Sequence, residues 1–213
     1  MVIGKILIAC EYSGVVRDAF IRLGYDAISC DIIPTISPGP HIQAEVQTVI
    51  HRQWDLIIAH PPCTYLCNSG VAHLFDENGD AIEPRWDALD SACDFFNLFL
   101  HCECRRVVIE NPIPHKYAVE RLICNYHQKI QPYQFGHTET KSTCLWLKGL
   151  PKLKDTNNVK EATMKLPIYE RQRMHWLPPS KDRGLQRSIT YLGIAEAIAF
   201  QYGPLTHFAD KGY

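Results

Sequence analysis

Two short stretches of this chain hold residues that could do chemistry together. In DLIIAHPPCTYL an apolar run stops at Pro61 and Pro62, whose rings fix φ, and presents Cys63 on a rigid turn. A thiolate there is a strong nucleophile for an electron-poor ring carbon such as C6 of a pyrimidine. Attack at C6 pushes electron density onto the ring, so an acid is needed to protonate or hydrogen-bond N3. In VVIENP a second apolar run ends at Glu110, a carboxyl group expected there to have a raised pKa and to serve as that acid. Each signal has a plainer reading: most cysteines are inert and buried, and a Glu-Asn at a strand end is more often a cap. The pairing of the two motifs reverses those odds. Tyr65, Asn68 and Ser69 follow the cysteine and could line a base pocket, although Asn68 serves equally well as a loop cap.

The elements that must position these motifs alternate between short apolar runs and amphipathic stretches, the pattern of a parallel sheet covered by helices. Buried strands are predicted over Ile6–Cys10, Tyr25–Cys30, Trp54–Ala59, Arg106–Glu110 and Thr143–Leu147. Helices are predicted from Gly14 to Leu23, Arg85 to Cys102, Tyr117 to Gln128 and Ile194 to Tyr202, with Phe95, Phe96, Phe99 and Leu100 facing the core. Pro151 to Pro179 reads as polar and irregular. Three strands end in polar punctuation, CEYSG, HPPC and ENP, and in open α/β sheets the ligand crevice lies at the carboxyl ends of strands. All three motifs are therefore expected at one crevice.

Composition sets the frame. The chain has 213 residues, 46% of them hydrophobic, which suits one domain spanning residues 1–213. No linker or repeat divides it, and no apolar run approaches the roughly 20 residues that span a bilayer. MVIGKILIACEYSG reads as a buried strand running into a motif rather than a signal peptide, so a cytoplasmic protein is expected. Nine cysteines, an odd number scattered through apolar stretches, point to a reducing compartment. His101, Cys102, Cys104 and Cys124 lack the usual Cys-x2-4-Cys spacing, so no metal site is expected. A formal net charge of −1 gives no global attraction to nucleic acid, so any polyanion contact must be local. Oligomeric state is left open.

Pro-Pro-Cys followed by Glu-Asn resembles motifs IV and VI of the DNA cytosine-C5 methyltransferases, and the resemblance extends over most of the chain. It implies an α/β, Rossmann-like fold with a mostly parallel sheet flanked by helices, and S-adenosylmethionine as cofactor. CEYSGVVRDAF sits where that family has its Phe-x-Gly-x-Gly loop, with only Gly14 matching a glycine. By this likeness Glu11, Tyr12, Ser13, Gly14, Asp31, Ile32, Glu45 and Pro61 would hold the cofactor, Asp31 meeting its ribose and Glu45 lying near the adenine. A loop carrying Gly14 followed by an acid one strand later is also what a nucleoside cofactor needs. FGHTETKSTCLWLKG aligns with the family's Gln-x-Arg-x-Arg motif but reads Glu139, Lys141 and Thr143. Lys141 keeps one catalytic charge without the bidentate fork, and Thr143 keeps none. Pro62, Asn111, Thr143, Arg183 and Arg187 are the expected substrate contacts, the two arginines being alternatively a solvated basic loop. GIAEAIA resembles the last motif, with Ile194 where Asn is usual.

The likeness implies methyl transfer to C5 of cytosine in DNA, through a covalent Cys63 adduct and a flipped base. Only a reduced recognition-like insertion, at about 150–180, is available for reading sequence. Two alternatives stand beside it. The same chemistry could act on a free cytosine nucleotide or single-stranded nucleic acid, or a partner could supply target recognition. A degenerate fold that binds without catalysing would explain the eroded glycine loop. His60 ahead of the prolines disfavours exocyclic-amine methylation, where Asp, Asn or Ser precedes Pro-Pro-Tyr/Phe. Trp146 and Trp176 are read as packing residues rather than stacking platforms.

Overall fold

Short, continuously apolar runs become the inner strands of a seven-stranded sheet in the computed structural model, which describes residues 4–71 and 73–207. The strands are β1 (Lys5–Ala9), β2 (Asp26–Asp31), β3 (His41–Gln43), β4 (Leu56–Ala59), β5 (Val107–Pro112), β6 (Gln128–Ile130) and β7 (Thr143–Lys148). Their spatial order is β3-β2-β1-β4-β5-β7-β6. Every pairing from β3 to β5 is parallel, and β7 enters antiparallel between β5 and β6. This is a Rossmann-like, mostly parallel sheet whose strand order reverses between β1 and β4.

Burial on both faces explains why β1, β4 and β5 read as unbroken apolar runs rather than alternating ones. Leu7, Ala9, Ile57, Ala59, Val107 and Ile109 face one core, while Ile6, Ile8, Leu56, Ile58 and Val108 face the other. On the first face lies α3 (Glu83–His101), entered through Pro84 and buried along Leu89, Cys93, Phe96 and Phe99. The opposite face is covered by α1 (Val15–Arg22) and α8 (Leu192–Tyr202), which also pack on each other. Trp146 is sealed into the first core against Phe96, whereas Trp176 is exposed.

Two expectations fail. The stretch Tyr117–Gln128 is not one helix: it gives a single turn, α4 (Lys116–Val119), and its last residue begins β6. Pairing with β7, which places Gln128 opposite Leu145, decides that segment over its local propensity. The stretch after Pro151 is less irregular than expected. It forms α5 (Lys160–Lys165) and α6 (Ile168–Arg171), and α7 (Arg183–Ser188) follows before α8. A further single turn, α2 (Asn68–Val71), follows the Cys63 loop. Among the described residues no disulfide joins the nine cysteines, and no helix is long and apolar enough to cross a membrane.

Candidate functional site

The three motifs sit at the carboxyl ends of adjacent strands: CEYSG after β1, HPPC after β4 and ENP closing β5. The strand order reverses between β1 and β4, the place where sheets of this kind take their ligands.

The loop after β1 is shaped from within. Cys10 takes a positive φ of 57°, and Gly14 follows at 76° as the residue before α1. A Cβ on Gly14 would come within 2.5 Å of the Arg17 guanidinium and 2.9 Å of the Ser37 Cβ. Glu11 is buried and accepts hydrogen bonds from Val16 N at 2.7 Å and Arg17 N at 3.3 Å, with Ser13 Oγ donating at 3.3 Å. Its carboxylate therefore caps α1 and sets the loop's shape. Burial pushes the Glu11 carboxyl up, against the opposing pull of His60 and of these hydrogen bonds. Tyr12 donates its hydroxyl to the Leu185 carbonyl at 2.8 Å, hanging α7 from this loop.

At the end of β2, Asp31 accepts from Ile33 N at 3.2 Å, and Ile32 beside it is 69% exposed. Glu45 is exposed at the entry to a 3-10 turn. The stretch between Asp31 and β3 is pinned by Arg17, a fully buried arginine that donates to the carbonyl oxygens of Ser37 and Pro38 at 3.0 and 3.3 Å and pairs with Asp18 at 2.8 Å. Nothing in the residue pattern marked Arg17 for this role except its place on an otherwise apolar helix face, between Val16 and Ala19.

The Cys63 loop is gripped by the loop after β5. Asn111 Nδ2 donates to the Pro61 carbonyl at 2.8 Å, His115 N to the Leu66 carbonyl at 2.9 Å, and His115 Nε2 lies 2.8 Å from the Tyr65 carbonyl oxygen. Because Nδ1 of His115 accepts from Ala118 N, its Nε2 is the donor to Tyr65. Pro61 is buried, Pro62 exposed and Cys63 half-buried. A hydrogen bond with Cys67, one helical turn on, pushes the Cys63 thiol up, and burial adds to it; the Lys141 charge pulls the other way. The thiol, rather than the thiolate, is thus the resting form.

Glu110 has a partner that sequence reasoning missed. His60 Nδ1 lies 2.7 Å from Glu110 Oε2, and both side chains are nearly sealed, at 10% and 13% exposure. The raised pKa expected for Glu110 is overturned. Burial pushes its carboxyl up, but the hydrogen bond and charge of His60, with Lys141 and Thr143, outweigh that and hold it below the usual carboxylate range. Burial likewise pushes His60 down, and Glu110 and Glu11 overcome it and raise the imidazole. Both shifts favour the imidazolium–carboxylate form of the pair. The one hint in the residues was that His60 stands directly before Pro61.

Lys141 lies within charge reach of Glu110, His60 and Cys63, and its Nζ donates to the Arg187 carbonyl at 2.7 Å. Thr143 is buried and donates to the Lys141 carbonyl at 3.3 Å. Lys141 and Arg187 line a cavity of about 300 Å³ together with Thr140, Gln172, Met174 and His175. Arg183 donates to the His175 carbonyl at 3.1 Å. The recognition-like segment is clipped to this region by Arg173 on Glu139 at 2.8 Å and by Thr140 N on the Arg171 carbonyl at 2.6 Å. Cys102 and Cys104 are buried and turn their sulfurs to backbone carbonyls.

By sequence the chain matches no family model and no curated protein. In structure it is similar to a DNA modification methyltransferase encoded within an E. coli prophage, at TM-score 0.43 and 16% identity over 76% of this chain and 55% of that one. It is similar also to the Entamoeba histolytica methyltransferase EhMeth, at TM-score 0.45 and 13% identity over 74% of this chain and 58% of that one. The S. pombe Dnmt2 methyltransferase gives TM-score 0.40 and 15% identity over 84% and 61%. The chain thus spans less than two thirds of the length of each.

Proposed function

We propose that this protein transfers a methyl group from S-adenosylmethionine to C5 of a cytosine. The observation that carries the reading is that the loop bearing Cys63 is fastened by Asn111 to the strand end bearing Glu110, with Lys141 charged toward both. Cys63 adds to C6, and its thiol proton leaves to solvent. Glu110 serves N3, so that electron density driven from the C5–C6 double bond comes to rest on a protonated nitrogen and C5 becomes nucleophilic. After methylation the C5 proton is lost to a base and the sulfur departs.

The residues after β1 and β2 fit the cofactor. The left-handed Gly14 lets the loop close over Arg17, Asp31 offers an acceptor for ribose hydroxyls, and Ile32 presents an exposed aliphatic face for a purine. When bound, the cofactor supplies an electrophilic methyl group. Glu11, Tyr12 and Ser13 shape that loop, and Pro61 follows β4, the strand paired with β1. Lys141 and Arg187 suit a phosphate beside the base, and their cavity is large enough for the sugar and phosphate of one nucleotide.

DNA is the substrate that the resemblance favours. The small segment carrying α5 and α6, six and four residues long, favours a second substrate class: a free cytosine nucleotide or single-stranded nucleic acid, or duplex DNA offered with a recognition partner. Labelled S-adenosylmethionine should be incubated with dCMP, dCTP, single-stranded DNA and duplex DNA, followed by mass spectrometry of the nucleosides. C5-methylcytosine from the wild type, and none from Cys63→Ser despite unchanged cofactor affinity by calorimetry, is the expected result. Undiminished transfer by Cys63→Ser overturns the mechanism.

A further inference from the structure

We propose that His60 is the proton reservoir of Glu110: its imidazolium resupplies, through the carboxyl group, the proton that N3 of the pyrimidine takes as Cys63 adds. This inference rests on the cytosine reading above and assigns a residue that the reading left unused.

Geometry carries it. The His60 backbone is held by its N–H on the Ala9 carbonyl at 3.0 Å, so the ring sits where β1, β4 and β5 end together. Nδ1 meets Glu110 Oε2 at 2.7 Å in a pair nearly closed to solvent, while Nε2 is buried with no hydrogen-bond partner among the described residues. Among the described residues, three charged groups act on the ring: Glu110 from β5, Glu11 from the loop after β1 and Lys141 from the segment before β7. Two carboxylates against one ammonium favour the cation. A carboxylate so paired is an anion with nothing to donate to N3. The proton nearest to it is on His60 Nδ1.

The step balances without a co-reactant. The sulfur lone pair forms the S–C6 bond, the C5–C6 π pair shifts toward C4, and the C4–N3 π pair moves onto N3. The Glu110 O–H bond forms as the His60 Nδ1–H bond breaks, and the N3–H bond forms as that O–H breaks. Elimination of Cys63 returns the proton by the same route. His60 acts through Glu110, so it is a positioning residue.

The test is kcat for labelled methyl transfer against pH in the wild type and His60→Asn, with the His60 ring followed by NMR in the wild type. Asparagine keeps a donor near the place of Nδ1 but does not titrate. The wild type should lose kcat as pH rises through the raised His60 value. His60→Asn should lose about 100-fold in kcat, in the range of general acid catalysis, and lose the alkaline limb while its KM for cofactor stays within about twofold. By NMR the wild-type ring should remain charged above the ordinary 6.5. A His60→Asn enzyme that keeps the wild-type kcat and limb, or a wild-type ring already neutral below 6.5, overturns the relay alone. A wild type that methylates none of the cytosine substrates overturns the underlying reading instead.

Discussion

Asn111 donates from Nδ2 to the Pro61 carbonyl oxygen at 2.8 Å, so the side chain next to Glu110 sets where the turn before Cys63 begins. The bond is buried; Asn111 lies at the end of β5 and Pro61 in the loop just after β4, its parallel neighbour, where Ala59 stands opposite Ile109. Asn111→Ala leaves the Pro61 carbonyl without that donor, which should cost about 1–3 kcal/mol of stability. It should lower kcat more than it raises KM, because the nucleophile is misplaced rather than the substrate lost. Urea unfolding and steady-state kinetics check the two parts separately.

Gly14→Ala strains the loop after β1 twice. Its φ of 76° disfavours any Cβ, and the added atom would meet the Arg17 guanidinium at 2.5 Å and the Ser37 Cβ at 2.9 Å. The left-handed conformation alone should cost about 1–2 kcal/mol. Displacement of Arg17 should also release the segment it holds, so hydrogen exchange over residues 32–40 should quicken in this variant and cofactor affinity by calorimetry should fall. Unchanged exchange there would show that Arg17 does not order the segment.

The His60–Glu110 pair fixes a pH window for stability. His60 is raised, so its contribution is complete below its ordinary 6.5 and fades as pH climbs through the higher folded value. Glu110 is lowered, so its contribution is complete above its ordinary 4.5 and fades as pH falls through the lower folded value. The pair therefore stabilises most between 4.5 and 6.5. Thermal unfolding of the wild type and of His60→Asn across pH 4 to 9, roughly the span of these titrations, should give a difference that is largest inside that window and shrinks on both sides. A difference flat with pH would mean that the two groups do not titrate as a pair.

The frame of this fold was readable wherever burial on both faces wrote itself as an unbroken apolar run: KILIA for β1, LIIA for β4 and TCLWLK for β7. The three-residue strands β3 and β6 carry no such signature, because their pairing is supplied by β2 and β7 rather than by their own side chains. That is why Gln128 reads as the end of a helix from its local sequence. At the site, Cys63 and Glu110 stood out because prolines punctuate both motifs. The contact between His60 and Glu110 left no trace in either motif alone, since it exists only when β4 and β5 lie side by side. The direction of the Glu110 titration followed the same way: a carboxyl group judged by burial reads as raised, and a carboxyl group seen with its imidazole reads as lowered.

The hydroxyl of Tyr12 and the carbonyl of Leu185 meet across 173 positions of chain. Closing so wide a span is slow relative to pairing neighbouring strands. During synthesis β1 and β2 can therefore align early, while the turn between β1 and α1 gains its outer support only once Leu185 has been made and α7 has docked. A nascent polypeptide stopped before that point would possess most of the sheet and no finished rim to it.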